Sequence, residues 1–133
     1  MTVHFVVVYV VSLCQALQSL VQQTYDNLEI IIVNDGSTDH SERIIADYVY
    51  HYPDKIRAFS IKNSGLGEAR NYGIRKARGQ YIGFVDSDDT VQPEMFQKMY
   101  AAAQKNDSDC VMCDYIAIWD SGKKEYIHSL EGN

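Results

Sequence analysis

Three acids in four positions, Asp86, Asp88 and Asp89 with Ser87 between them, close the apolar run Tyr81 to Val85. Carboxylates packed this closely repel, and two unit charges about 4 Å apart at an effective dielectric of about 20 cost roughly 4 kcal/mol. A divalent cation resolves the conflict. An all-oxygen donor set suits Mg or Mn, ions that keep open positions for water and for the oxygens of a diphosphate. Held there, such an ion neutralises charge building on a departing diphosphate. The plainer alternative is a solvated turn and helix cap. A second loop of the same character, Asn34-Asp35-Gly36-Ser37, ends another apolar run, Leu28 to Val33, and shifts the balance toward a site shared by two strand ends.

The surrounding pattern says what must position these groups. Val3 to Val11 reads as a buried strand. Leu13, Ala16, Leu17, Leu20 and Val21 then recur at helical spacing. The strand Leu28 to Val33 is stopped by turn formers through Asp39, where Thr38, Asp39 or Ser41 can cap a helix running past Tyr48. Ile56 to Ile61 is a third strand. The loop Asn63-Ser64-Gly65-Leu66-Gly67 precedes a helix from about Glu68 to Ala77, and Gly79 breaks into the fourth strand, Tyr81 to Val85. Gln92-Pro93-Glu94 suits a helix start, with Met95, Phe96, Met99 and Ala102 as its apolar face. A fifth strand is expected over Asp109 to Ile118, then a polar turn at Asp120-Ser121-Gly122-Lys123 and a short return to His128. Strands alternating with helices predict an α/β fold, an open, mostly parallel sheet with helices on both faces. Ligands of such sheets bind outside the carboxyl ends of the strands, where both acidic loops fall.

Three segments in series, Leu28 to Asp39 (LEIIIVNDGSTD), Asn63 to Asn71 (NSGLGEARN) and Gly79 to Asp89 (GQYIGFVDSDD), resemble family 2 glycosyltransferases of the Rossmann-like GT-A fold. The resemblance covers nearly the whole chain. It implies a nucleotide-diphospho-sugar donor, usually UDP-linked, a Mg or Mn ion, and transfer with inversion to a saccharide or lipid-linked acceptor. Carried onto matching positions, Asp35 is similar to the family aspartate that binds the nucleotide base, and Arg70 to the arginine near the nucleotide. Asp86 and Asp88 are the acids of the DxD motif, one expected near the ribose and metal, the other on the metal, with Ser87 in the same donor site. Asp89 supports them or caps the next helix. Gly65 and Gly67 let the backbone approach the donor, or are plain turn glycines.

Two departures stand out. Family members commonly carry Pro-x-Tyr-Asn at the end of the first strand; here Val7-Val8-Tyr9-Val10-Val11 lacks that Pro and Asn, which leaves Tyr9 alone as the nucleotide-pocket residue there. Inverting transfer also needs a general base for the acceptor hydroxyl. In the family it lies well downstream, and its expected place is beyond Asn133. Asp114 and Asp120 sit in no matching motif.

Composition bounds the alternatives. With 133 residues, one domain is the working reading for 1–133, and a net charge of -6 disfavours nucleic acid as a partner. The odd set Cys14, Cys110 and Cys113 is no disulfide framework. It points to a cytoplasmic setting, and the resemblance adds peripheral association with the inner face of a membrane. Cys110 and Cys113 have CxxC spacing inside an apolar run and are expected as buried small hydrophobes. A sugar-phosphate nucleotidyltransferase would show a Gly- and Arg-rich loop after the first strand. A response-regulator-like domain needs a lone acceptor Asp, unlike Asp86-Ser87-Asp88-Asp89. A noncatalytic nucleotide-sugar-binding module remains the reading from a different class.

Overall fold

Leu28-Glu29-Ile30-Ile31-Ile32-Val33 is apolar at five of six positions, and the strand it forms is buried through Asn34, as expected of a central parallel strand covered on both faces. The computed structural model describes residues 5–11, 16–37 and 40–129, with side chains described from residue 16 onward. It divides into two compact units, Met1–Phe96 and Gln97–Asn133.

In the first unit, β1 (Phe5–Val11), β2 (Leu28–Asp35), β3 (Ile56–Ile61) and β4 (Tyr81–Val85) form one sheet in the order β3-β2-β1-β4. Every pairing in it is parallel. The chain steps outward from β1 to β2 to β3 and then returns to the other side of β1 to lay down β4. That reversal opens a crevice at the carboxyl ends of β1 and β4, the preferred ligand position in such sheets.

Side-chain alternation assigns the faces. Ile31 and Val33 pack with Ala69 of α3 (Leu66–Lys76), together with Phe59, Ile61 and Tyr72. The opposite parity, Asn34 with Ala58 and Ser60, lines an open cavity of about 440 Å³ against Ile45, Ala46 and Val49 of α2 (Ser41–His51). Helices therefore cover both faces. The short α1 (Leu17–Val21) buries Leu17, Leu20 and Val21, and the Tyr48 hydroxyl donates to Gln18 Oε1 at 3.0 Å, tying α2 to α1.

Some local expectations change. Ser41 is the first residue of α2, and the N-cap position falls on His40, which makes no side-chain cap bond; Thr38 and Asp39, like Cys14 and the expected helix start at Leu13, lie outside the described residues. The third helix begins at Leu66, two residues earlier than its apolar pattern shows, because Gly65 adopts φ 88 and serves as the N-cap. Gly67 is consequently a helical residue.

The second unit corrects the fifth strand. After α4 (Met95–Asn106) only Tyr115–Ile118 is extended (β5), and it pairs antiparallel with β6 (Lys124–Ile127) in a sheet of two strands. Residues 119–123 join them, with Gly122 at φ 80 and the Trp119 N–H donating to the Lys123 carbonyl at 3.0 Å. So short a connection closes a hairpin locally, whereas a parallel pairing needs a long crossover. Residues 109–114 have no strand partner among the described residues, and Cys110 and Cys113 are exposed instead of buried.

Candidate functional site

The Asp35 carboxylate, at the end of β2, accepts the Ser64 N–H at 2.8 Å on one oxygen and the Gly65 N–H at 3.0 Å on the other. It thereby fixes the loop that starts α3. Gly36 makes the second contact: at φ 73, a Cβ built on it would lie 2.9 Å from the Asn63 amide nitrogen. Asn34, buried beside them, accepts both the backbone N–H and the hydroxyl of Ser37 and closes the turn. Gly36→Ala is expected to cost about 1–2 kcal/mol from the left-handed backbone alone, and to push Asn63 away; urea unfolding reads the first effect, and a wild-type midpoint would contradict it.

One turn into α3, Arg70 reaches across to β4. Its Nη2 donates to Asp86 Oδ1 at 2.5 Å, and its guanidinium lies 5.8 Å from the centre of the Phe84 ring. Asp86 to Asp89 is indeed a turn, closed by the Asp89 N–H on the Asp86 carbonyl at 3.1 Å, so the plainer alternative describes its backbone correctly. It is not a helix cap, since α4 starts only at Met95. Ser87 is buried, whereas Asp86, Asp88 and Asp89 are exposed. The Asp89 carboxyl is pushed above the usual range, first by loss of surrounding water and then by the charges of Asp88 and Asp86. That is the crowding expected of the cluster. Among the described residues no three acid, His or Cys side chains converge as a ready-made metal cage.

The three sequence segments thus meet physically: Asp35 holds the loop, the loop starts the helix, and the helix carries Arg70 to Asp86. Tyr9 pairs in register with Val85, immediately before Asp86, but its side chain lies outside the described residues. Asp114 binds at the mouth of the β5–β6 hairpin, accepting the Ser129 N–H at 2.9 Å and meeting His128 Nδ1 at 3.1 Å. Its carboxyl is lowered by the Ser129 N–H and then by His128.

Sequence reading missed the groups that brace the segment between the acidic turn and α4. Buried Gln23 donates to the Gln92 carbonyl at 2.6 Å and accepts the Phe96 N–H at 3.3 Å. Ser19 Oγ accepts the Val91 N–H at 3.2 Å, and the Thr24 N–H reaches the Pro93 carbonyl at 2.9 Å. No residue pattern marks Gln23, because two of its partners are backbone groups 69 and 73 positions away.

Comparison with known proteins decides the assignment. Residues 6–131 match the family described as Glycosyl transferase family 2. The chain belongs to that family. Relatives of this family 2 domain include the uncharacterized glycosyltransferase EpsJ of Bacillus subtilis, 42% identical over 120 residues, covering 90% of this chain and 34% of EpsJ. The minor teichoic acid biosynthesis protein GgaB of B. subtilis is 39% identical over 103 residues, covering 74% of this chain and 11% of GgaB. Among solved structures, S. aureus TarS 1-349 in complex with UDP superposes with a TM-score of 0.73 at 26% identity, covering 80% of this chain and 33% of that TarS 1-349 chain. The fold is accordingly the GT-A arrangement, and the chain spans about a third of the length of EpsJ and 21% of the longer TarS chain. Among the described residues no helix is long and apolar enough to cross a membrane.

Proposed function

We propose that this domain holds a nucleoside-diphosphate sugar, UDP-linked, at the carboxyl ends of β1, β2 and β4, with Mg or Mn on Asp88 and Asp86. In the full enzyme the sugar is transferred with inversion to a hydroxyl of a saccharide or lipid-linked acceptor during synthesis of a surface polysaccharide. The observation that carries the reading is the Arg70–Asp86 contact beside Asp88 and Asp89, because it sets a cation and a crowded acid cluster at the sheet's crevice. The name of GgaB and the UDP of TarS supply the substrate class.

The donor set fits a divalent ion. Its side-chain ligands are oxygens only, and Asp86, Asp88 and Asp89 crowd one turn with Arg70 paired to Asp86 alone. When bound, the ion supplies Lewis-acid stabilisation of the leaving diphosphate. The chain's own residues do the rest: Arg70 brings the fork of donors that matches phosphate oxygens, Asp86 and Ser87 face the ribose, and Asp35 meets the base while keeping the Ser64–Gly65 loop in place. Tyr9 completes the nucleotide pocket. The general base belongs to the acceptor side and is assigned to no residue of this chain. A lipid-linked acceptor would place the enzyme at the inner face of a membrane.

Thermal unfolding with UDP-sugars, with and without Mn, tests the reading. A donor at 100 times its dissociation constant is expected to add about 2.7 kcal/mol; absence of a metal-dependent shift with every nucleotide-sugar tried would overturn it.

A further inference from the structure

We propose that Arg70 acts as the internal counter-ion of Asp86 in the ligand-free domain and gives Asp86 up when metal and diphosphate arrive. The identity of the incoming ligand rests on the proposed function; the ion pair itself does not.

Two ion pairs of the same unit make the case by contrast. Glu29 and Arg57, 2.6 Å apart, have side chains only 9% and 28% exposed. Arg70 and Asp86, 2.5 Å apart, have side chains 36% and 54% exposed. Water reaches the second pair, so separating it costs little, while the first is locked. The Arg70 guanidinium is also guided from below. Phe84 and Asp86 are two positions apart at the end of β4 and project to the same side, so the ring under the guanidinium and the carboxylate beside it hold Arg70 at the mouth of the acid cluster. Among the described residues no three-acid cage exists, three acids lie within four positions, and one of them, Asp86, is paired with Arg70.

Arg70 therefore has two alternative anionic partners, its own Asp86 and the donor diphosphate. The exchange moves no covalent bond. It offsets the charge of Asp86 before ligand binding, and it ties delivery of Arg70 to the diphosphate to release of Asp86 toward the metal. One consequence is a pair of opposite effects. Without Arg70, metal alone should bind better, because its competitor is gone, and nucleotide should bind worse, because its phosphate donor is gone.

The test compares wild type, Arg70→Gln and Arg70→Lys. Mn binding without nucleotide is read from the electron paramagnetic resonance of the free aquo ion, and UDP binding at saturating Mn by titration calorimetry. Arg70→Gln should tighten Mn alone roughly threefold, within the range of an exposed ion pair. It should weaken UDP roughly tenfold, as for loss of a charged hydrogen bond. Arg70→Lys keeps the charge without the fork and should fall between on both. Mn affinity unchanged or weakened in Arg70→Gln, with UDP still bound by wild type, would overturn the exchange and leave the donor site standing. A wild type that binds neither Mn nor UDP would overturn both.

Discussion

Arg57→Ala is expected to destabilise the chain by about 3 kcal/mol, seen as a lower urea midpoint, although residue 57 lies far from the acid cluster in sequence. Glu29 sits on the central strand β2 with its side chain only 9% exposed. One of its oxygens accepts Arg57 Nη1 at 2.6 Å, and the other, Oε2, is buried without a partner. Removing the arginine leaves a carboxylate with no counter-charge among Leu28, Ile30 and the neighbouring strand. Breaking a buried pair on one side costs about 3–5 kcal/mol, and the partial exposure of Arg57 places this case at the lower end. The same Nη1 also donates to the Lys76 carbonyl at 3.1 Å, so the last turn of α3 loosens as well. Replacing both partners, as Glu29→Met with Arg57→Met, should restore most of the loss, since no charge is then stranded. A single variant within about 0.5 kcal/mol of wild type, the range of an ordinary surface change, would show that the pair is solvated in solution.

Asp88→Asn is expected to remove the metal-dependent part of donor binding while the fold survives. Asn keeps the shape and one oxygen but loses the charge that a hard divalent ion needs. The roughly 2.7 kcal/mol that Mn and UDP-sugar add to wild type at 100 times the dissociation constant should fall close to zero. Stability without ligand should stay level or rise slightly, because one of the two charges that push up the Asp89 carboxyl is gone. Differential scanning calorimetry with and without Mn reads both quantities. A full Mn-dependent shift in Asp88→Asn would move the ion away from Asp88, and a collapse of the unliganded protein would make the residue structural.

Much of the architecture could be read from local pattern. β2, β3 and β4 are runs of apolar residues bounded by turn formers, and their observed ends agree with that pattern to within about two residues. Hydrophobic burial and turn chemistry act over a few neighbouring residues, so sequence carries them directly. The acid cluster and the Asp35 loop were visible for the same reason, as unusual polar residues placed just after strands, whereas Arg70, inside α3, was marked only by its likeness to the family arginine.

What the sequence could not decide was pairing. The polar turn at Gly122 and the short return to His128 were legible, but not that Tyr115–Ile118 would pair with that return in a separate two-stranded sheet. The exposure of Cys110 and Cys113 follows, since only a strand buried in the sheet would have hidden them. Glu29, unmarked in the sequence except as one charge in an aliphatic run, is tolerated because Arg57 arrives opposite it from β3. Gln23 is similar, a buried amide serving backbone groups that only the fold brings near. The residue types of the site were therefore determined by sequence alone. Tertiary structure decided which of them touch: Asp35 reaches the Ser64 and Gly65 amides, and Arg70 reaches Asp86, because the parallel order β3-β2-β1-β4 returns separate strand ends to one edge.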